Sequence, residues 1–155
     1  MDIRIVAVGR LRKSAELDLI TEYLDRAVKQ GRGFGFSSFD VHEIDDRKSQ
    51  DKSVQAEQLR AALGNEVFWA LDERGRVMSS PEFAQGLATH RDDAAGRLNL
   101  VIGGADGLDP ELVVQARQTI SFGKMVWPHM LARVMLSEQC YRAMTILAGG
   151  PYHRG

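Results

Sequence analysis

Ile3, Ile5 and Ala7 alternate with Asp2, Arg4 and Val6, and this two-residue period predicts a first strand over Asp2–Gly9. The period then changes to a helical one. Leu17, Ile20, Leu24 and Val28 recur at helical spacing, Ser14 is placed to cap the amino end and Gly31 to stop the chain, so Ser14–Gln30 reads as a helix. Gly31–Gly35 (GRGFG) reads as a flexible connection and Ser38–Ile44 as a second strand. Lys48–Leu63 is expected to be a polar helix with a thin stripe of Val54, Leu59 and Leu63, closed by Gly64, and Glu66–Leu71 a buried strand. A turn is expected over Leu71–Phe83, overlapping the helix that Ser79-Ser80-Pro81-Glu82 starts and that runs to His90. Leu98–Ile102 is a nearly continuous apolar run, as in a strand covered on both faces. After the glycine-rich turn Gly103–Leu108, Asp109-Pro110-Glu111 starts a helix to Arg117. Thr119–Trp127 contains a strand broken by Gly123, Pro128–Leu147 is a long helix, and Ala148–Gly155 is a tail.

Strands alternating with helices predict the α/β class: one domain over 1–155, with a parallel-type sheet and helices on both faces. The 155-residue length suits one core of ordinary size. Charge refines the picture. The net is -1, which excludes a protein that coats nucleic acid by wholesale neutralisation of phosphates. The distribution is uneven, however. Residues 1–122 carry 16 basic and 20 acidic side chains, whereas residues 123–155 carry Lys124, Arg133, Arg142 and Arg154 against Glu138 alone. An anionic partner is therefore sought in the last fifth of the chain. No apolar run approaches the roughly 20 residues of a membrane-spanning helix, and MDIRIVAVGR reads as a strand, not a signal peptide. With one cysteine, Cys140, the expected compartment is the cytoplasm.

Three predicted strand ends carry candidate chemistry: Leu71-Asp72, Ile102-Gly103-Gly104, and Met125-Val126-Trp127-Pro128. Ligands of open α/β sheets sit beyond the carboxyl ends of strands, so adjacent strands would bring these loops to one crevice. Glycines there let backbone amides approach a ligand closely. The turn IGGADGLDPE is not a dinucleotide fingerprint, because GxGxxG is absent, and Gly123-Lys124 lacks the upstream glycine and the Ser/Thr of a phosphate loop. The four histidines and one cysteine show no metal-ligand spacing.

The last segment is the richest. Pro128 fixes a helix start and puts His129 in the first turn, with Arg133 one turn later. Met130, Val134, Tyr141 and Met144 form a stripe suited to a core or a subunit interface. Glu138 and Arg142 read as a modest surface pair, and Cys140 as a small packed residue. The end of the chain, Gly149-Gly150-Pro151-Tyr152-His153-Arg154, is stiffened by proline and then offers an aromatic ring, an imidazole and a guanidinium in a row. Those groups can stack a base, move a proton and pair a phosphate.

AVG near the start, LD closing the third strand, LVIGGADGL, the WPHMLARVMLSEQCYRAM helix and the PYHRG end together resemble the RNA large-subunit methyltransferase H family of the SPOUT class. The resemblance runs end to end and is loosest over residues 10–65. It implies a SPOUT-like fold whose C-terminal segment makes a deep trefoil knot. It implies a homodimer with the active site shared across the interface, and an S-adenosylmethionine cofactor. The implied reaction transfers a methyl group to N3 of a pseudouridine in large-subunit (23S) ribosomal RNA, within assembled ribosomes. No membrane or DNA partner is expected. The resemblance places the cofactor at Leu71, Asp72, Ile102, Gly103 and Gly104, at Leu108, and at Gly123, Lys124, Met125, Val126, Trp127 and Pro128. It places His129, Arg133, Tyr152, His153 and Arg154 toward the RNA nucleotide, some from the partner subunit. Ala105-Asp106 stands where the family commonly has Pro-Glu, which argues against a private catalytic role for Asp106. A purely structural reading explains the stripes and caps but not the tail, and two functional readings also fit the residue pattern without the resemblance. One is a non-catalytic RNA- or ribosome-binding module on the same fold. The other is a small-molecule α/β enzyme, which the missing phosphate loop and the Tyr-His-Arg end both weigh against.

Overall fold

The computed structural model describes residues 1–93 and 96–155. Five strands form one sheet in the order β2-β1-β4-β3-β5, every neighbouring pair parallel: β1 (Asp2–Val8), β2 (Ser38–Ile44), β3 (Val67–Val77), β4 (Arg97–Ile102) and β5 (Gln118–Ser121). Because all run the same way, their carboxyl ends share one edge of the sheet. The helices between them are α1 (Ala15–Gly31), α2 (Lys52–Leu63), α3 (Ser80–Asp93) and α4 (Pro110–Gln115), and α5 (His129–Leu147) follows β5.

The helices split between the two faces. Ile20 and Leu24 of α1, Phe83 and Leu87 of α3 and Leu136, Cys140 and Met144 of α5 pack on Ile3, Ile5, Trp69, Leu98 and Leu100. Leu59 and Leu63 of α2 and Leu112 of α4 pack on Val6, Val8, Phe68 and Val101 of the other face. The Leu98–Ile102 run is buried on both sides, as its composition requires. Its one polar member, Asn99, is fully satisfied. The Arg4 Nε donates to its Oδ1 at 2.7 Å, and its amide donates to Glu66 at 2.9 Å and to the Val67 carbonyl at 3.2 Å.

Several boundaries differ from the sequence reading. The α2 helix begins at Lys52, not Lys48, because the Asp51 carboxylate accepts the Ser53 N–H and sets the cap there. The Gly31–Gly35 segment is no flexible connection: Gly31 ends α1 and Arg32–Phe34 form a 3-10 turn. The α3 start is a capping box, in which Ser79 Oγ accepts from Glu82 N–H at 3.2 Å and Glu82 accepts from Ser79 N–H at 2.7 Å. That helix reaches Asp93, α4 stops at Gln115, and β5 ends at Ser121, leaving 122–127 as loop.

The largest difference lies in β3. The expected turn after Leu71 is instead a continuation of the strand to Val77, with a register shift against β5 between Leu71 and Arg76. Gly75 permits it. A Cβ there would lie 2.8 Å from the Ile120 nitrogen and 2.9 Å from the Thr119 carbonyl carbon, so β5 closes on bare backbone. Gly75→Ala is expected to destabilise the protein by about 1–3 kcal/mol, read as a lower denaturant midpoint at unchanged slope. The modest stabilisation usual for Gly→Ala at a compatible site would refute this account of the bulge.

Candidate active site

Loops from three adjacent strands, β4, β3 and β5, enclose a cleft of about 480 Å³ at the carboxyl edge of the sheet. Each wall follows from local sequence. After Ile102, the Gly103–Leu108 turn doubles back on itself with Gly107 N–H donating to the Gly104 carbonyl at 3.0 Å. A Cβ on Gly103 would sit 2.6 Å from the Gly107 carbonyl carbon, so only glycine fits. After Leu71, Asp72 turns its carboxylate onto Arg74, accepting the backbone N–H at 2.8 Å and Nε at 3.2 Å. Burial alone would raise the Asp72 pKa, but the Arg74 hydrogen bonds and charge more than offset it and hold the carboxyl below its ordinary range. After β5, the Ser121 hydroxyl accepts Gly123 N–H at 3.0 Å and lies 3.1 Å from the Glu73 carbonyl, tying the third loop to the second.

Of the residues assigned to the cofactor, Leu71, Asp72, Ile102, Gly103, Gly104, Leu108, Gly123, Met125, Val126 and Trp127 line the cleft. Lys124 and Pro128 do not; both are exposed on the same loop. Lys52, Arg74 and Asp106 also line it and were not singled out for binding. Met125 and Val126 are exposed at 76% and 83%, and with Trp127, Met130 and Leu131 they leave a run of apolar side chains in water at the mouth.

His129 lines the cleft from the first turn of α5, and its Cε1 lies 3.7 Å from where a side chain on Gly9 would be. Its Nδ1 is buried with no hydrogen-bond partner among the described residues. Arg133, expected to face the RNA nucleotide, points into the protein. It is 2% exposed; one nitrogen donates to Glu43 at 2.8 Å and another to the Gly9 carbonyl at 3.1 Å. Glu43 also accepts the Leu11 N–H at 2.7 Å. The brace therefore joins α5, the end of β2 and the loop after β1, and it sets where His129 stands. In that loop Arg10, Arg12 and Lys13 are exposed and form no ion pair among the described residues; the GRLRK charge run is visible in the sequence but lies outside its basic last fifth.

Tyr152, His153 and Arg154 do not line this cleft. Tyr152 and His153 dock farther along α5. The Tyr152 hydroxyl donates to Glu138 at 3.0 Å, and its ring meets Tyr141 edge-on at 4.7 Å and lies 4.8 Å beneath the Arg142 guanidinium. Burial first, then the Glu138 carboxylate, pushes the Tyr152 hydroxyl up to about 12. Glu138 and Arg142 are thus the hub of the tail's docking, not a modest surface pair, with side chains only 16% and 24% exposed. Arg154 is exposed. At 1.5 Å per residue, His129 and Arg142 stand about 20 Å apart along the helix. Burial pushes the Cys140 thiol up to about 12, in keeping with a packed, unreactive residue. No cluster of side chains that could hold a metal ion occurs among the described residues.

A parallel sheet with a crevice outside three strand ends, closed by a helix amino terminus, defines an α/β protein built to bind a small organic ligand at that edge. The family described as "Predicted SPOUT methyltransferase" matches residues 1–153. Ribosomal RNA large subunit methyltransferase H of Roseobacter denitrificans is 56% identical over 155 residues, covering 99% of both chains. The protein of the same name from Jannaschia sp. is 59% identical over 136 residues, 88% of this chain and 99% of that one. In fold, a probable methyltransferase from Bordetella pertussis superposes with a TM-score of 0.51 at 19% identity, covering 92% of this chain and 93% of that one. The chain belongs to the SPOUT methyltransferases and, within them, to the ribosomal RNA large subunit methyltransferase H family.

The Arg133 brace predicts an asymmetry. Glu43→Ala strands a buried cation and is expected to cost about 3 kcal/mol, whereas Arg133→Met fills the same volume, leaves a partly hydrated carboxylate and costs about 1 kcal/mol. Denaturant midpoints of the two variants check this; a costlier Arg133→Met would show that the charge itself is not what Glu43 compensates.

Proposed function

We propose that the protein transfers a methyl group from S-adenosylmethionine to N3 of a pseudouridine in large-subunit (23S) ribosomal RNA, acting in the cytoplasm on assembled ribosomes as a homodimer. The observation that carries this reading is the convergence of three motif loops and His129 on one cleft, in a chain that matches ribosomal RNA methyltransferases over its whole length.

The cleft suits the cofactor. Its volume of about 480 Å³ lies in the range that encloses small organic ligands. Ile102, Leu108 and Leu71 offer an apolar wall to an adenine, and the main chain of Gly103-Gly104 and of Gly123–Trp127 offers N–H and C=O groups. The unpartnered buried Nδ1 of His129 is a polar group left for a ligand to satisfy. When bound, S-adenosylmethionine supplies a methyl group whose sulfonium needs no further activation. The remaining work falls to the chain: orienting the nucleotide and easing the loss of the N3 proton.

The groups suited to that work are divided. His129 is at the cleft, while Tyr152 and His153 dock about 20 Å along the same helix. A second copy resolves the separation by bringing its tail to the first copy's cleft. The exposed apolar run Met125, Val126, Trp127, Met130 and Leu131 at the cleft mouth supports such an interface. Arg10, Arg12 and Lys13, on the loop that Gly9 joins to His129, supply cations for RNA phosphates beside the site. Arg133 serves as the brace that positions His129. The family's C-terminal trefoil knot, and the action of residues 1–155 as one domain, belong to the same reading and are supported by the match over residues 1–153.

Labelled methyl from S-adenosylmethionine is expected to appear in the large-subunit RNA of ribosomes lacking the modification, far above free RNA. Absence of both label and cofactor binding would leave only a non-catalytic ribosome-binding module. Removal of Tyr152–Gly155 should leave a folded, cofactor-binding protein that loses transfer by about 100-fold or more. Mixing that truncation with His129→Ala restores activity if clefts and tails work across subunits. No recovery after confirmed subunit exchange would place cleft and tail in one protomer's site.

A further inference from the structure

The His153 ring is held by a partner that can only donate. Its Nδ1 lies 3.3 Å from a terminal nitrogen of Arg142. A guanidinium has five N–H donors, no acceptor, and keeps its proton in proteins. The contact is a hydrogen bond only if Nδ1 accepts. Arg142 is not free to turn away, because its Nε and other terminal nitrogen donate to Glu138 at 2.9 Å and 2.6 Å. Its face is covered by the Tyr152 ring, and the Tyr152 hydroxyl donates to the same Glu138 carboxylate. Glu138 therefore fixes Arg142, and Arg142 fixes the ring.

We propose that Arg142 is a positioning residue that keeps the proton of the neutral His153 ring on Nε2, so that His153 meets the RNA nucleotide as a hydrogen-bond donor and not as a general base. This rests on the tail's role in the proposed function. The Nε2 is covered within the protomer and has no partner among the described residues, so its N–H is an unsatisfied donor, which the tail uncovers when it meets an acceptor. A uracil-type ring presents two carbonyl oxygens as acceptors, and loss of the N3 proton spreads negative charge onto both. A donor aimed at one of them stabilises the ring as that charge develops. His153 neither gains nor loses a proton: the N3 proton leaves to solvent, the N3 electron pair forms the bond to the methyl carbon, and the carbon–sulfur pair stays with sulfur.

The test has a spectroscopic arm and a kinetic arm. Full-length protein labelled with ¹⁵N at its four histidines gives a long-range ¹H–¹⁵N spectrum in which His153 is identified by its loss in His153→Gln. The expected pattern is a pyridine-type Nδ1 and a pyrrole-type Nε2. Arg142→Lys, which keeps a donor, should retain this pattern; Arg142→Leu should mix the two tautomers while the His42, His90 and His129 signals report an intact fold. A proton on Nδ1 in the unaltered protein overturns the proposal. In methyl transfer to ribosomes, His153→Gln replaces the Nε2–H by an amide N–H and should stay within about tenfold, whereas His153→Ala should lose about 100-fold or more. Equal loss in the two variants overturns the donor role even where the tautomer is as expected. An unaltered protein that keeps the Nε2 tautomer yet transfers no methyl group overturns the reading of the tail, and with it the donor role.

Discussion

Arg133 is a long charged side chain almost wholly withdrawn from water, and its charge is tolerable there only because Glu43 and the Gly9 carbonyl receive it. Three segments distant in sequence meet at that guanidinium: the end of β1, the end of β2 and the second turn of α5. The contact settles two things at once. It clamps α5 over the carboxyl edge of the sheet, and it fixes the rotation of the helix's first turn, which carries His129. The cleft walls from β3, β4 and β5 would exist without it. The histidine that faces them from α5 would not be held.

The α5 helix then carries two side-chain clusters on one rigid rod. Near its start, His129 closes the cleft; farther along, Glu138 and Arg142 seat Tyr152 and His153. A helix cannot shorten, so the separation of about 20 Å is a property of the sequence spacing between residues 129 and 142. Leu136 and Cys140 between them, and Met144 just beyond, bury the helix against α1, α3 and the sheet and leave it no bend with which to bring the clusters together. Within one copy of the chain, the cleft and the docked tail therefore stay apart, which is the separation that the proposed homodimer bridges.

The sequence made the layered α/β plan legible because its periods are clean: alternation in β1, helical spacing in α1 and α5, and an apolar run in β4 that only two covered faces explain. The three strand-end loops were legible for the same reason, since parallel strands put all their carboxyl ends on one edge. The continuation of β3 past Leu71 was not. Asp72, Glu73 and Arg74 read as a polar turn, and only the approach of β5 to the bare backbone of Gly75 makes the segment a strand. Arg133 was misread for a related reason: an arginine one turn into a helix looks solvent-facing unless its distant carboxylate is known, and Glu43 lies 90 residues away. Glu138 and Arg142 were seen as an i,i+4 pair, but their hold on Tyr152 and His153 depends on the tail folding back along α5.

Charge gives the last constraint on how such a protein meets RNA. With a net of -1, it has no general attraction for a polyanion. Cations without an ion pair among the described residues include Arg10, Arg12 and Lys13 on the loop beside His129, and Arg154 on the tail. A few phosphate contacts of that kind fix register and orientation more than they supply affinity. The remaining affinity must come from a surface that already has the right shape. In the proposed homodimer the cations double, and two loops and two tails present a fixed spacing. A folded ribosomal surface can match that spacing at little ordering cost, whereas a flexible RNA strand would have to be ordered first. In the proposed function, weak net charge, a shared site and a structured substrate fit one design, in which geometry more than charge selects the RNA.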